Sequence, residues 1–241
     1  MMDNGVPNTV PGPAVVSPHP EAQENIRTLK RHGFSTRFVH WAVAVSAIIL
    51  VLSGLGQLPL FHRYMVDELP YLGWTSDFNV TLAIHYSAAM LLTFAAIYHV
   101  LVHTLRREFT IVPRRGDFKE SYLIIKAMLG SGEEPDSHKY LAEQRLAYAF
   151  IGANLALLLA TGYIKVLKNL AGSDLPYEML WTNTQLHNLA TVLLILGVVG
   201  HLTAFAFKAN RPLLPSIFHG QVDAEYARNR HCLWCEEIED Q

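Results

Sequence analysis

Four long apolar stretches alternate with polar segments along the chain. They run over residues 38–60, 80–105, 146–167 and 184–207, and each reaches the length of about 20 residues that a helix needs to cross a bilayer. None of them shows the two-residue alternation of a barrel strand, and none has the polar face of a helix in a soluble bundle. Because only helices and closed barrels span lipid, the pattern predicts an all-α membrane protein, a bundle of four transmembrane helices.

Lysine and arginine are distributed unevenly between the two sides of this bundle. Sixteen of the 19 lie before the first span, in the long segment between the second and third spans, or after the fourth span. The two other connections and their edges hold only Arg63, Lys165 and Lys168. The positive-inside rule therefore predicts that both termini and the long segment lie in the cytoplasm.

The polar parts of the chain differ in character. Residues 1–25 hold five prolines and no apolar run, which predicts a disordered cytoplasmic arm rather than a signal peptide. Residues 26–218 form the transmembrane domain, and residues 219–241 form a cytoplasmic tail. Between the second and third spans, residues 117–129 have an amphipathic pattern, which predicts a short cytoplasmic helix that lies on the membrane surface or on a partner.

Composition and charge exclude several classes of protein. Charged residues make up 17% of the chain, against about 25% in an average soluble domain. The net charge of −2 gives no electrostatic support to nucleic-acid binding. The two cysteines, Cys232 and Cys235, are too few for a disulfide-stapled secreted domain. Zinc takes four ligands and only His219 and His231 lie nearby in sequence, so we expect two free thiols.

Histidines inside the apolar stretches are the strongest candidates for chemistry, because titratable groups in a membrane are costly and usually functional. The second and fourth spans each carry two histidines 14 residues apart, His85 with His99 and His187 with His201. Fourteen residues of helix leave both side chains within roughly 40° of one face and about 21 Å apart along the axis. His85 and His187 then form an outer pair, and an inner pair can be drawn from His40, His99 and His201.

Paired imidazoles at two depths of a four-helix bundle are typical of six-coordinate haems. Two histidines close both axial positions of the iron, so such a centre transfers electrons and binds no substrate. The chain has no CxxCH motif for covalent attachment, which predicts two haems of type b. A metal or haem transporter is one alternative, although the spans hold no Asp or Glu. A haem-free membrane anchor whose histidines only pack helices is another.

Several motifs carry a resemblance to a known family. In chain order they are Arg37-Phe-Val-His40-Trp41, Ser53-Gly54, Ile84-His85, Tyr140…Gln144-Arg145, Thr161-Gly162, His187…His201, and the tail from His231 to Glu239. Together they resemble the di-haem cytochrome b (gamma) subunit of membrane-bound respiratory formate dehydrogenase. The cytochrome b subunits of nickel–iron hydrogenase and thiosulfate reductase belong to the same superfamily. The Tyr140 segment and the tail favour formate dehydrogenase over a hydrogenase or a sulfur-compound reductase.

The resemblance implies a ligand set and partners. His85 and His187 would hold the iron of an outer haem, and His40 and His201 that of an inner haem. An iron–sulfur subunit and a molybdenum/tungsten catalytic subunit would lie on the periplasmic side of a bacterial inner membrane. Electrons would cross the bilayer to menaquinone or ubiquinone near the cytoplasm, so the chain itself would not oxidise the substrate.

The resemblance also places quinone near the start of the third span. The family usually has Tyr-Asn-Ala-Gly-Gln there, whereas this chain has Tyr140-Leu141-Ala-Glu143-Gln144. Leu141 cannot make the hydrogen bond of the asparagine. Glu143 would replace it as an acceptor or proton donor, or would be a solvated loop carboxylate. His99, which the formate branch usually lacks, would then lie beside the quinone or the inner haem.

Overall fold

The computed structural model describes residues 28–58, 60–170 and 174–240. In this part of the chain, four helices are long and apolar enough to cross a membrane, which confirms the predicted fold class. They are α1 (Phe34–Gln57), α3 (Phe78–Arg106), α5 (Ala142–Leu167) and α6 (Tyr177–Thr203). The predicted arm at residues 1–25 lies outside the described residues.

The shorter elements lie between and after these spans. They are the helices α2 (Leu60–Arg63), α4 (Asp117–Met128), α7 (Leu214–His219), α8 (Ala224–Arg230) and α9 (Cys232–Glu239), and the strands β1 (Thr28–Lys30) and β2 (Gln221–Asp223). Turns of 3₁₀-helix lie at Val66–Glu68, Gly73–Ser76, Ala204–Ala206 and Lys208–Leu213. We call the end of the bundle where α1 and α5 begin the basic end, because most Lys and Arg lie there.

The helix boundaries follow local sequence. α1 ends at Gln57, before the predicted residue 60, and Leu58 is extended as expected for a residue before proline. α6 begins at Tyr177, seven residues before the predicted start, directly after Pro176. Its first turns carry polar side chains such as Asn183, which lower the local hydropathy without breaking the helix. Asp77 caps α3 through hydrogen bonds to the backbone amides of Asn79 and Val80.

The spans pack as two pairs. α1 lies closely against α3 and α5 against α6, whereas the backbones of the two pairs stay further apart. Side-chain hydrogen bonds join α3 to α5 across this gap: Thr93 to the hydroxyl of Tyr163 at 2.8 Å, and His99 to the hydroxyl of Tyr148 at 2.8 Å. Such bonds hold helices together where lipid removes the hydrophobic drive for association.

The helix predicted at residues 117–129 is confirmed as α4. One face packs on α5 and buries Asp117, Ser121 and Ile124. The other face exposes Phe118, which is 82% accessible, and Tyr122, which is 66% accessible. This exposed apolar face is the part of α4 that a membrane surface or a partner would cover.

The residues predicted as a tail fold back onto the start of α1. β2 pairs antiparallel with β1, so Leu29 lies opposite Val222. Val222, Trp234 and Cys235 form a small buried core beneath this ribbon. Because β1 and β2 are nearly 200 residues apart, periodicity in the sequence gives no sign of their pairing. We call β1, β2, α8 and α9 the cap.

Candidate functional site

The histidines far from the basic end have specific hydrogen-bond partners on the neighbouring helix. His85 on α3 lies beside Ser53 on α1, with 3.0 Å between its Nδ1 and the serine Oγ. Ser53 donates its own proton to the carbonyl of Ile49 at 2.7 Å. Its oxygen is therefore left to accept a hydrogen bond from His85 Nδ1–H, which leaves Nε2 of that ring unprotonated.

The second helix pair repeats this arrangement. Nδ1 of His187 on α6 lies 2.8 Å from Oγ1 of Thr161 on α5, and Thr161 donates to the carbonyl of Leu157 at 2.7 Å. Nε2 of His187 is thus left unprotonated in the same way. Metal-binding histidines typically hydrogen-bond a protein group through the nitrogen that does not bind the metal, and this bond fixes the tautomer and the ring orientation.

A glycine follows each of these hydroxyl residues and lies beside the imidazole. A Cβ on Gly54 would lie 3.5 Å from Cε1 of His85, and a Cβ on Gly162 would lie 3.7 Å from Cε1 of His187. The two Ser/Thr-Gly pairs therefore seat one ring on each helix pair. Both motifs are part of the family resemblance, but the sequence does not show what they contact, because His85 and His187 lie on other helices.

Near the basic end the structure brings His40 and His201 together across the two helix pairs. Their ring centroids lie 6.3 Å apart, with the planes inclined at 51°. Two metal–nitrogen bonds of about 2 Å each, with the ring radii added, separate imidazole centroids by roughly 6 Å. The pair therefore has the spacing of two axial ligands on one metal ion, and Nδ1 of His40 is buried without a hydrogen-bond partner.

His99 points elsewhere. Its Nε2 lies 2.8 Å from the hydroxyl of Tyr148, and its ring lies on that of His103 with centroids 4.2 Å apart. Both imidazoles line a small cavity between α1 and α3. Of the three histidines that the spacing left open for the inner pair, His40 and His201 face each other and His99 faces Tyr148.

The segment that precedes α5 is held by a buried arginine from the start of the chain. Arg31 is 3% accessible, and its Nη2 donates to Oε1 of Gln144 at 3.3 Å. Its guanidinium lies over the rings of Tyr140 and Trp234, at 5.5 Å and 5.6 Å from their centroids. Burial lowers the pKa of Arg31 to about 10 and raises the pKa of Tyr140. The sequence did not predict this role of Arg31, because no local pattern distinguishes it from other basic residues near the membrane.

Glu143 lies one residue from this contact. Both of its carboxylate oxygens are buried and have no hydrogen-bond partner. A buried carboxylate without a partner is costly, so such a group is typical of a site that exchanges protons or meets a polar ligand. Of the two roles that sequence analysis left open, the burial of these oxygens favours a proton or ligand site over a solvated loop.

An ion pair fixes the start of α5 on its other side. Arg145 donates from Nε and Nη2 to the two carboxylate oxygens of Asp117, at 2.9 Å and 2.7 Å, and both side chains are 2% accessible. The arginine holds the pKa of Asp117 below its ordinary value. This pair ties α4 to the segment that carries Tyr140, Glu143 and Gln144.

The two cysteines, Cys232 and Cys235, lie in the first turn of α9. Both thiols are free, and Sγ of Cys232 lies 3.3 Å from a carboxylate oxygen of Asp136. In the described ranges no group of three or more His, Cys, Asp or Glu side chains could hold a metal ion. Neighbouring His231 is fully buried, with Nδ1 on the carbonyl of His138 at 2.7 Å.

A comparison with known proteins places this arrangement in a family. No curated protein sequence is similar enough to the chain to match it. A family model does match, over residues 31–220, which include all four spans and the histidines that lie in them. The chain belongs to the family described as prokaryotic cytochrome b561.

Proposed function

We propose that this chain is the di-haem b membrane subunit of a respiratory complex. His85 and His187 would hold one haem iron, and His40 and His201 the other. The family is one of haem b proteins of bacterial membranes, and the four apolar helices make this member a multi-pass membrane protein. The observation that supports the ligand assignment best is the facing pair His40 and His201, 6.3 Å apart on opposite helix pairs.

The chain's own residues would prepare the outer site. Ser53 and Thr161 orient the rings of His85 and His187, so that Nε2 of each is free to bind iron. Haem b, held by two histidines at each site, would supply one-electron transfer and no chemistry on a substrate. The gap between the helix pairs would admit the macrocycle, and the apolar spans would exclude water from it.

Quinone would be reduced near the basic end, on the cytoplasmic side that the Lys and Arg distribution predicts. Tyr140 and Gln144 would line that site, with Arg31 holding both in place. Glu143 would supply protons there from its buried, unpartnered carboxylate. His99 with Tyr148 would border the inner haem or the quinone. The electron donor would be an iron–sulfur subunit on the opposite side, in a complex with a molybdenum/tungsten formate dehydrogenase.

Single histidine variants of the full chain test this proposal. Changing His85 or His187 to Ala should remove one haem, and changing His40 or His201 to Ala should remove the other. His99→Ala is the matched control, because His99 lies on α3 with His85, and it should retain two haems per chain. Loss of a haem in His99→Ala with two haems retained in His40→Ala would contradict the assignment. Reduction of both haems by added quinol, slowed in Glu143→Gln, would test the quinone site.

A further inference from the structure

The proposed ligands of the two haems differ in the groups that contact the ring nitrogen facing away from the iron. Nδ1 of each outer ligand lies beside a hydroxyl, His85 at 3.0 Å from Ser53 and His187 at 2.8 Å from Thr161. His85 also meets the backbone carbonyl of Leu50. By contrast, Nδ1 of His40 is buried without a hydrogen-bond partner. His201, which is exposed, also has no hydrogen-bond partner among the described residues.

The outer hydrogen bonds are firmly held. Ser53 and Thr161 are each 3% accessible, and both hydroxyl protons are already committed to carbonyls one turn earlier in their own helices. The backbone of Thr161 is held in turn, because its carbonyl accepts from Nδ2 of Asn183 at 2.9 Å. The hydroxyl oxygens can therefore act only as acceptors toward the imidazoles.

A histidine that donates its Nδ1–H becomes a more basic ligand at Nε2. A more basic ligand stabilises the ferric over the ferrous state, which lowers the reduction potential. We infer that Ser53 and Thr161 are positioning residues that lower the potential of the outer haem relative to the inner one. Electron flow from the outer to the inner haem, and on towards the basic end, is then downhill. The inference rests on the proposed ligand set.

Redox titration of the full chain with both haems bound tests the inference. Ser53→Ala and Thr161→Val each remove a hydroxyl, whereas Ser53→Thr and Thr161→Ser keep one. Ser46→Ala is the matched control, because Ser46 is equally buried on α1 and bonds only the carbonyl of Ala42. The outer haem is identified by the single titration step left in His201→Ala.

We expect Ser53→Ala and Thr161→Val each to raise the outer potential. A loss of about threefold in ferric preference per hydroxyl is about 28 mV for a one-electron couple. The inner potential should stay unchanged, Ser46→Ala should titrate like the parent, and the hydroxyl-retaining variants should restore the parent value. Lys165, whose ammonium lies near the outer ligands, is unchanged in every variant, so its effect cancels.

Two results would overturn the inference, and a third would overturn its basis. An outer potential that stays the same or falls in both variants, with two haems retained, refutes the role of the hydroxyls. An equal rise in Ser46→Ala refutes its specificity. A chain that binds no haem at all refutes the proposed function instead. If Ser53→Ala fails to assemble, Thr161→Val decides, because valine matches threonine in shape.

Discussion

The ion pair between Asp117 and Arg145 should stabilise the attachment of α4 to α5 more than any exposed pair in the chain. Asp117→Ala removes both bonds of the guanidinium fork, at 2.9 Å and 2.7 Å, and also the 2.8 Å bond from the backbone amide of Arg114. It leaves a guanidinium that is 2% accessible without its main partner. Breaking such a buried pair costs about 3–5 kcal/mol.

Glu120 provides a matched control because it contacts the same arginine. Its carboxylate lies 3.3 Å from Nη2 of Arg145 and is 32% accessible, so Glu120→Ala should cost about 1 kcal/mol or less. Replacing both members of the buried pair, with Asp117→Ala and Arg145→Met, should recover part of the loss, since no unpaired charge is then buried.

Hydrogen exchange of the α4 amides in detergent measures this cost as a fall in the free energy of local opening. The effect should also depend on pH. The arginine lowers the folded-state pKa of Asp117, so the stabilisation is present above about pH 4 and is lost as the pH falls through the folded-state pKa. An Asp117→Ala variant within about 1 kcal/mol of the parent, or no more costly than Glu120→Ala, would refute the reasoning.

Two further changes should affect local stability. Gly56→Ala should lower the melting temperature, because the added Cβ would lie 2.6 Å from the carbonyl oxygen of Thr75. Such overpacking costs about 1–3 kcal/mol. Gly54→Ala is the control and should be tolerated, because its Cβ would have its nearest contact at 3.5 Å. Burial lowers the pKa of His231 to about 3, so below about pH 6.5 the unfolded state takes up a proton that the folded cap does not. The cap should lose about 2 kcal/mol between pH 7 and 5, and equal protection of α8 and α9 from exchange at both pH values, after correction for intrinsic rates, would contradict this.

The sequence was sufficient to predict the four-helix bundle, because a segment that crosses lipid must be a long apolar helix. Each predicted span overlaps an observed helix, with shifts at Leu58, where proline follows, and at Tyr177, where polar side chains mask the first turns of α6. Equal spacing of His85 with His99 and His187 with His201 predicted paired histidines at two depths of the bundle. It could not distinguish His40 from His99 as the residue that faces His201, because that depends on how the helix pairs sit against each other.

Contacts between segments far apart in the chain could not be predicted from the sequence. The buried pair of Asp117 and Arg145 joins two helices 28 residues apart, and Arg31 meets His231 across 200 residues. A charged residue in an amphipathic segment looks the same whether it is solvated or buried against another helix. Ser53 was recognised as part of a sequence motif, but its contact with the ring of His85 depends on how α1 and α3 pack.

Haem content is the measurement that tests the central claim most directly. The purified full chain, produced with adequate haem supply, should show a b-type spectrum when dithionite-reduced and oxidised states are compared. Extracted haem counted against protein should give two per chain, one for His85 with His187 and one for His40 with His201. A folded, membrane-inserted chain that contains no haem would contradict the account. One haem per chain would show that only one of the two histidine pairs binds iron.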